Sequence, residues 1–255
     1  MSLERQCERL RSLHVPGSPL VLPNAWDVAS AKAVVAARFP VVATTSGGVA
    51  AALGYEDHEG APADEMLDAA ARIAAAVDVP VTVDAEAGYG LEPTELVGAL
   101  KDAGAAGCNL EDTDHASGSV REPEENAAWL RQVREVATEQ SYPLVVNARI
   151  DVFLADRARA QSELVPEALE RASAYFDAGA DCVFPIFLRE ADALSAFVSA
   201  AAGPVNVLAI ADAPSLQELA GLGVARVSYG SLLHRLTMEA FASTLASIPV
   251  HPSPA

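Results

Sequence analysis

Lysine is almost missing from this 255-residue chain: Lys32 and Lys101 are the only two. Both fall inside helical patterns, so none projects from a strand end, where a Schiff-base aldolase needs its amine. Cysteine is sparse too. Cys7, Cys108 and Cys182 are odd in number, far apart and without a Cys-x-x-Cys pair, which argues against a disulfide framework or a zinc site. Cys108 and Cys182 sit in apolar runs, where a free cysteine usually serves as a small buried hydrophobe. No apolar run approaches the roughly 18 residues of a membrane helix. The N-terminus, MSLERQCERLRSL, mixes acids and bases and does not read as a signal peptide, so a cytoplasmic location is expected. Positive charge is scarce against 35 acidic residues, giving a net charge of −18. Such a surface repels phosphate backbones and anionic lipid; nucleic-acid and membrane partners are not expected. Most of these acids read as a solvated surface, yet a bound cation can reverse the local field for an anionic substrate.

What is present is a rhythm of eight beats. Short apolar strand-like runs occupy 19–24, 40–45, 80–86, 106–112, 143–149, 180–185, 205–210 and 224–230. Amphipathic helical patterns follow them at 27–38, 63–77, 93–104, 123–139, 163–178, 189–201, 214–221 and 231–247. Strands buried on both faces and each followed by a helix predict an α/β fold: one (β/α)₈ TIM barrel domain over 1–255, with short flexible N- and C-terminal tails. An open doubly wound sheet is the alternative.

Barrels of this kind work at the C-terminal ends of their strands. There the chain places Asn24 followed by Trp26, then Ser46-Gly47-Gly48, Asp84 and Glu86, Glu111, Arg149 and, on the seventh strand, Asn206. Asp84 and Glu86, two apart, are expected to share one side of a strand beside Glu111. Three carboxylates so close call for a hard cation, and oxygen ligands favour Mg²⁺; capping helices or pairing with arginines is the plainer role for any one of them. Arg149, the only arginine among these strand-end residues, suits a carboxylate or phosphonate. Ser46-Gly47-Gly48 offers backbone N–H groups to an anion, though a tight turn fits it equally. His115, with Asp114, lies on the following loop and is a candidate for acid–base work; a solvated histidine is the alternative. His58 is a weaker candidate.

The segments PNAWDVASA (23–31), TTSGGVAAALGYED (44–57), VDAEAGYG (83–90), NLEDTDH (109–115) and NARIDVFL (147–154), in this order, resemble the isocitrate lyase/phosphoenolpyruvate mutase superfamily, as a 2-methylisocitrate lyase-like or carboxyphosphonoenolpyruvate phosphonomutase-like member. The resemblance implies a barrel whose eighth helix is swapped between subunits of a homo-oligomer, dimer or tetramer. It implies Mg²⁺ held directly by Asp84, with Glu86, Glu111 and Asp57 on its waters. Ser46, Gly47 and Gly48 would bind the carboxylate of a small anionic 2-oxo acid, Arg149 its other end, and Tyr89 would line the site. Trp26 and Asn206 join the expected substrate contacts, and Asp57, Glu111, His115 and Arg149 the expected catalytic set. Residues 113–123 would form a gating loop. The chain departs from the superfamily in that loop, which has no cysteine where isocitrate and methylisocitrate lyases carry Lys-Lys-Cys-Gly-His, and neither the Lys nor the Asn of the mutases. The family also often has Asp where Glu86 stands. The function expected is a Mg²⁺-dependent lyase cleaving a C–C bond beside a 2-oxo acid or 2-hydroxy diacid carboxylate through a metal-stabilised enolate. A P–C bond enzyme of the phosphoenolpyruvate mutase or phosphonopyruvate hydrolase type, or a barrel that binds a 2-oxo acid without turnover, is the alternative.

Overall fold

The computed structural model describes residues 1–249. All eight expected strands are present: β1 (Leu20–Leu22, continued as Asn24–Ala25), β2 (Val42–Thr44), β3 (Val81–Asp84), β4 (Gly107–Glu111), β5 (Val145–Ile150), β6 (Cys182–Pro185), β7 (Asn206–Leu208) and β8 (Arg226–Ser228). Every pairing among them is parallel. Pro23, which has no N–H to donate, interrupts β1. Its first half pairs with β8 and its second half with β2. A bridge from Val183 to Val205 joins β6 to the start of β7 and closes the ring. The result is an α/β, TIM-barrel-like fold.

The expected helices form as α2 (Val28–Ala36), α4 (Ala63–Ala75), α5 (Pro93–Asp102), α6 (Pro123–Glu139), α8 (Gln161–Asp177), α9 (Ala191–Ala200), α10 (Leu216–Gly221) and α11 (Leu232–Ala246). Their starts follow local chemistry. Asp27 accepts from the Ser30 amide at 2.7 Å while the Ser30 hydroxyl accepts from Asp27 N, a reciprocal cap. Pro93 and Pro123 open α5 and α6, where a missing N–H costs nothing.

The N-terminal segment corrects the expected flexible tail. Residues Leu3–Ser12 form α1, which buries Cys7 and Leu10 completely. Leu10 packs so closely on the first residue of β4 that a Cβ at Gly107 would lie 2.8 Å from its Cδ2. Arg11 adds an ion pair to Asp181 at 2.7 Å, and Arg134 reaches the same carboxylate at 2.7 Å. The C-terminal tail lies, from residue 250, outside the described residues. All three cysteines are free and buried. Between the expected elements the chain adds α3 (Ser46–Leu53), α7 (Val152–Ala155) and a small hairpin of Thr113–Asp114 with Ser119–Val120.

A buried polar pin fixes the C-terminal ends of β4 and β5. Asp112 accepts from Asp151 N at 2.9 Å, from the Tyr175 hydroxyl at 2.7 Å and from Arg171 at 3.1 Å. Burial pushes its carboxyl up to about 6, against the pull of Tyr175 and Arg171. Removing one partner of a buried ion pair leaves the other charge uncompensated. Asp112→Ala is therefore expected to lower unfolding free energy by about 3–5 kcal/mol. Denaturant titration checks this; a change below about 1 kcal/mol means the pin is dispensable.

Candidate active site

A cavity of about 620 Å³ opens where the strands end. Thr45 and Ser46 reach it from behind β2, Asp84 from β3, Arg149 from β5, Leu208 from β7 and Ser231 from beyond β8. Asp57 and His58, from the loop between α3 and α4, complete its acidic side.

Ser46-Gly47-Gly48 is the first turn of α3 rather than a loop. Ser46 N donates to Asp84 Oδ2 at 3.0 Å, so the helix N-terminus is aimed at the metal candidate and this N–H is not free for substrate. Gly47 is pressed between two side chains: a Cβ there would lie 2.6 Å from Asp57 Oδ2 and 2.8 Å from Ser231 Oγ. Gly48 faces Thr45 and Trp26 instead.

The acids divide into two kinds. Glu111 is fully engaged, by His115 Nε2 at 2.6 Å and by a guanidinium nitrogen of Arg149. Arg149 turns the Nε–Nη2 edge of its fork to Asp151, at 2.6 and 2.9 Å. Of its five N–H donors, one on each Nη is left. Asp84 and Asp57, by contrast, each keep a buried Oδ1 with no hydrogen-bond partner.

Glu86 departs from the expected alternation. β3 ends at Asp84, and Glu86 has a φ of +47°, the left-handed region. Its carboxylate turns to Glu59 N at 2.6 Å, and Glu59 returns the contact by accepting from Tyr89 N at 2.6 Å. This clamp holds the 56–60 loop, and Asp57 with it, over the strand ends. Burial pushes the Glu86 carboxyl up to about 8, with Asp84, Asp57 and Glu111 adding to it. Burial also raises Glu111 to about 7 against the pull of Arg149, while the hydrogen bond that His115 donates to Glu111 raises His115.

The expected trio of Asp84, Glu86 and Glu111 therefore forms no ready cage: among the described residues no three His, Cys, Asp or Glu side chains are spaced to hold a metal. The open oxygens belong to Asp84 and Asp57, which line one cavity and suit a hard cation completed by water. Two expected substrate contacts lie elsewhere. Trp26 packs edge-on against His234, ring centroids 5.0 Å apart, in a groove between α2 and α11. Asn206 is buried in the barrel interior against Ser228, because it begins β7 instead of ending it. Tyr89 stands behind the acids, its hydroxyl donating to Asp84 O at 3.3 Å. His115 meets His58 with ring centroids 5.4 Å apart. Sequence reasoning missed Arg157, Arg189, Arg235, Asp212 and Ser231, all of which line the cavity from loops or α11.

With this geometry in view, the comparisons with known proteins are specific. The family model described as phosphoenolpyruvate phosphomutase matches residues 10–249. The chain belongs to that family. Within the phosphoenolpyruvate phosphomutase family and the isocitrate lyase/phosphoenolpyruvate mutase superfamily it is an enzyme of the lyase and mutase class. An uncharacterized protein of Mycobacterium tuberculosis is 36% identical over 238 residues, 92% of this chain and 87% of that protein. The 2-methylisocitrate lyase of Salmonella typhimurium is 29% identical over 216 residues, 80% of this chain and 70% of its own. A crystal structure of a candidate phosphonomutase from Burkholderia cenocepacia superposes with a TM-score of 0.90 at 39% identity, covering 95% of this chain and 100% of that one. Oxaloacetate acetylhydrolase, at 23% identity and a TM-score of 0.85, shares the fold.

The raised Glu86 has a consequence for stability. Its folded value of about 8 lies above its ordinary 4.5, so between those values the folded protein holds a proton that the unfolded chain has released. That stabilisation is complete below the ordinary value and is lost as pH rises through about 8. The melting temperature of metal-free protein is expected to fall from pH 5 to pH 8, with a flatter slope for Glu86→Gln. Equal slopes in scanning calorimetry would remove Glu86 as the cause.

Proposed function

We propose that this protein is a Mg²⁺-dependent lyase that cleaves a C–C bond beside the carboxylate of a 2-oxo acid or 2-hydroxy diacid. One observation carries the reading: Asp84 and Asp57 each keep a buried carboxylate oxygen without a hydrogen-bond partner, and both residues line a cavity that Arg149 also lines. Asp84 would hold the cation directly and Asp57 would hold its waters; Glu86, bonded to Glu59 N, and Glu111, bonded to His115 and Arg149, would stand behind them. When bound, it supplies Lewis-acid stabilisation of the negative charge that develops as the bond breaks.

The remaining work falls to the chain's own residues. Ser46 and Thr45 wall the substrate in beside the start of α3, whose N-terminal polarity favours an anion. Arg149, held rigid by Asp151 and Glu111, offers its two free N–H groups to a carboxylate. His115 and Glu111 share a proton at the 2.6 Å contact between Nε2 and Oε1, and His58 extends that pair toward the cavity. The 113–120 hairpin excludes water from the loaded site as a gate. Trp26 and Asn206 lie outside the cavity wall that these residues form.

α11 is proposed to exchange between paired subunits of a dimer or tetramer. It buries none of its own residues, and Leu236, Met238, Phe241 and Leu245 are exposed along it.

C–C cleavage is preferred to P–C chemistry because residues 113–122 contain no Lys or Asn to hold a transferring phosphoryl group. The likeness to a candidate phosphonomutase supports the second reading. Incubation with Mg²⁺ and a panel of oxo- and hydroxy-diacids is expected to release a 2-oxo acid product. Asp84→Ala is expected to reduce turnover to the metal-free background and to abolish the Mg²⁺-induced rise in melting temperature. Full activity in that variant would remove Asp84 from the metal. Phosphate or phosphoenolpyruvate formed from phosphonopyruvate, read by phosphorus NMR, would establish the P–C reading instead.

A further inference from the structure

The outer mouth of the cavity carries arginines that the roles above leave unused. Arg157, Arg189 and Arg235 line it together with Arg149. Arg159 pairs with Asp156 and Glu167, and Arg235 with Glu239. Among the described residues Arg157 and Arg189 make no ion pair, although Asp212 lines the same cavity. A second hollow of about 160 Å³ shares Arg157, Phe187 and Arg189 as its wall.

This rim is built. Phe187 has a φ of +65°, a conformation a phenylalanine rarely adopts unless its surroundings hold it there. Gln161 supplies the hold. Its Nε2 donates to Phe187 O at 2.8 Å, and its Oε1 accepts from Arg189 N and Glu190 N, both at 2.9 Å. The Phe187 ring so placed supports the Arg157 guanidinium, whose Cζ stands 4.8 Å from the ring centroid. One side-chain amide thus fixes the turn that carries Arg189 and the ring against which Arg157 rests, at the edge of one cavity.

We propose that the substrate is an extended dianion. Its reacting 2-oxo or 2-hydroxy acid end sits between Asp84 and Arg149, and a distal carboxylate binds Arg157 and Arg189. The inference rests on the function proposed above for the inner end. A cavity of about 620 Å³ falls within the range of pockets that bury whole drug-sized ligands and exceeds what a short diacid fills. A planar guanidinium matches a carboxylate in shape as well as charge, and an unpaired one is spared breaking an internal ion pair on binding.

Calorimetric titration of Mg²⁺-saturated protein separates the two ends. Oxalate probes the inner end alone; 2-oxoadipate carries a second carboxylate on a longer chain. The double variant Arg157→Gln/Arg189→Gln is expected to bind 2-oxoadipate about tenfold or more weakly, through lost charge-assisted hydrogen bonds, and oxalate within about twofold of wild type. Gln161→Ala, which frees the turn and keeps both charges, is expected to weaken 2-oxoadipate selectively and by less. The proposal is overturned if wild type fails to bind 2-oxoadipate, if the double variant binds it as wild type does, or if both ligands weaken equally. Wild type that binds 2-oxoadipate but not oxalate, with selective loss in the double variant, would leave the rim assignment standing and sink the reading of the inner end.

Discussion

Arg149 is the cation around which the mouth of the barrel is organised. Glu111 and Asp151 are both buried there, and each spends its charge on the same guanidinium. Two carboxylates at adjacent strand ends cannot be buried as anions without such a partner. The pairing also decides what is left over. With Glu111 and Asp151 satisfied, the unmet negative charge of the site falls on Asp84 and Asp57, each with a buried unpartnered oxygen and both lining one cavity. The protein thus neutralises one set of acids internally and leaves another set open to a cation.

Left-handed residues hold the open set in position. His58, Glu59, Glu86 and Tyr89 all have positive φ, and none is glycine. Such backbone persists where the surroundings over-determine it. Here the reciprocal contacts of Glu86 with Glu59 N and of Glu59 with Tyr89 N do so, bracing one loop against the next. The longer side chain of Glu86 is what spans that gap. The same economy recurs at the rim, where Gln161 fixes a left-handed Phe187. Active-site loops in this barrel are tied to each other by side-chain bonds to backbone, while the strands below are tied by Asp112 and Asp181.

Membership of the phosphoenolpyruvate phosphomutase family bounds the chemistry without choosing the substrate. A relative named 2-methylisocitrate lyase is 29% identical to this chain, and a structure named for phosphonomutase activity is 39% identical. On the reading proposed above, the parts that would discriminate are the 113–122 segment, without cysteine, lysine or asparagine, and the arginine rim.

The sequence by itself determined the eight strand–helix units, because apolar runs covered on both faces and capped amphipathic helices are local patterns. It determined the charged residues at the strand ends for the same reason: Asp84, Glu111 and Arg149 each lie where a run of strand-forming residues closes. The signal for α1 is also local, in Leu3, Cys7 and Leu10 at helical spacing behind Ser2. Only the tertiary structure decided which charges meet. Arg149 and Glu111 are in register on neighbouring strands, but Arg157, Arg189 and Asp57 come from loops whose paths no periodicity encodes. Nor does alternation along β3 survive past Asp84, where a positive φ turns Glu86 to a loop it meets only in the folded chain. Local pattern sets what each segment becomes; long-range packing sets which side chains face one another, and the chemistry depends on the second.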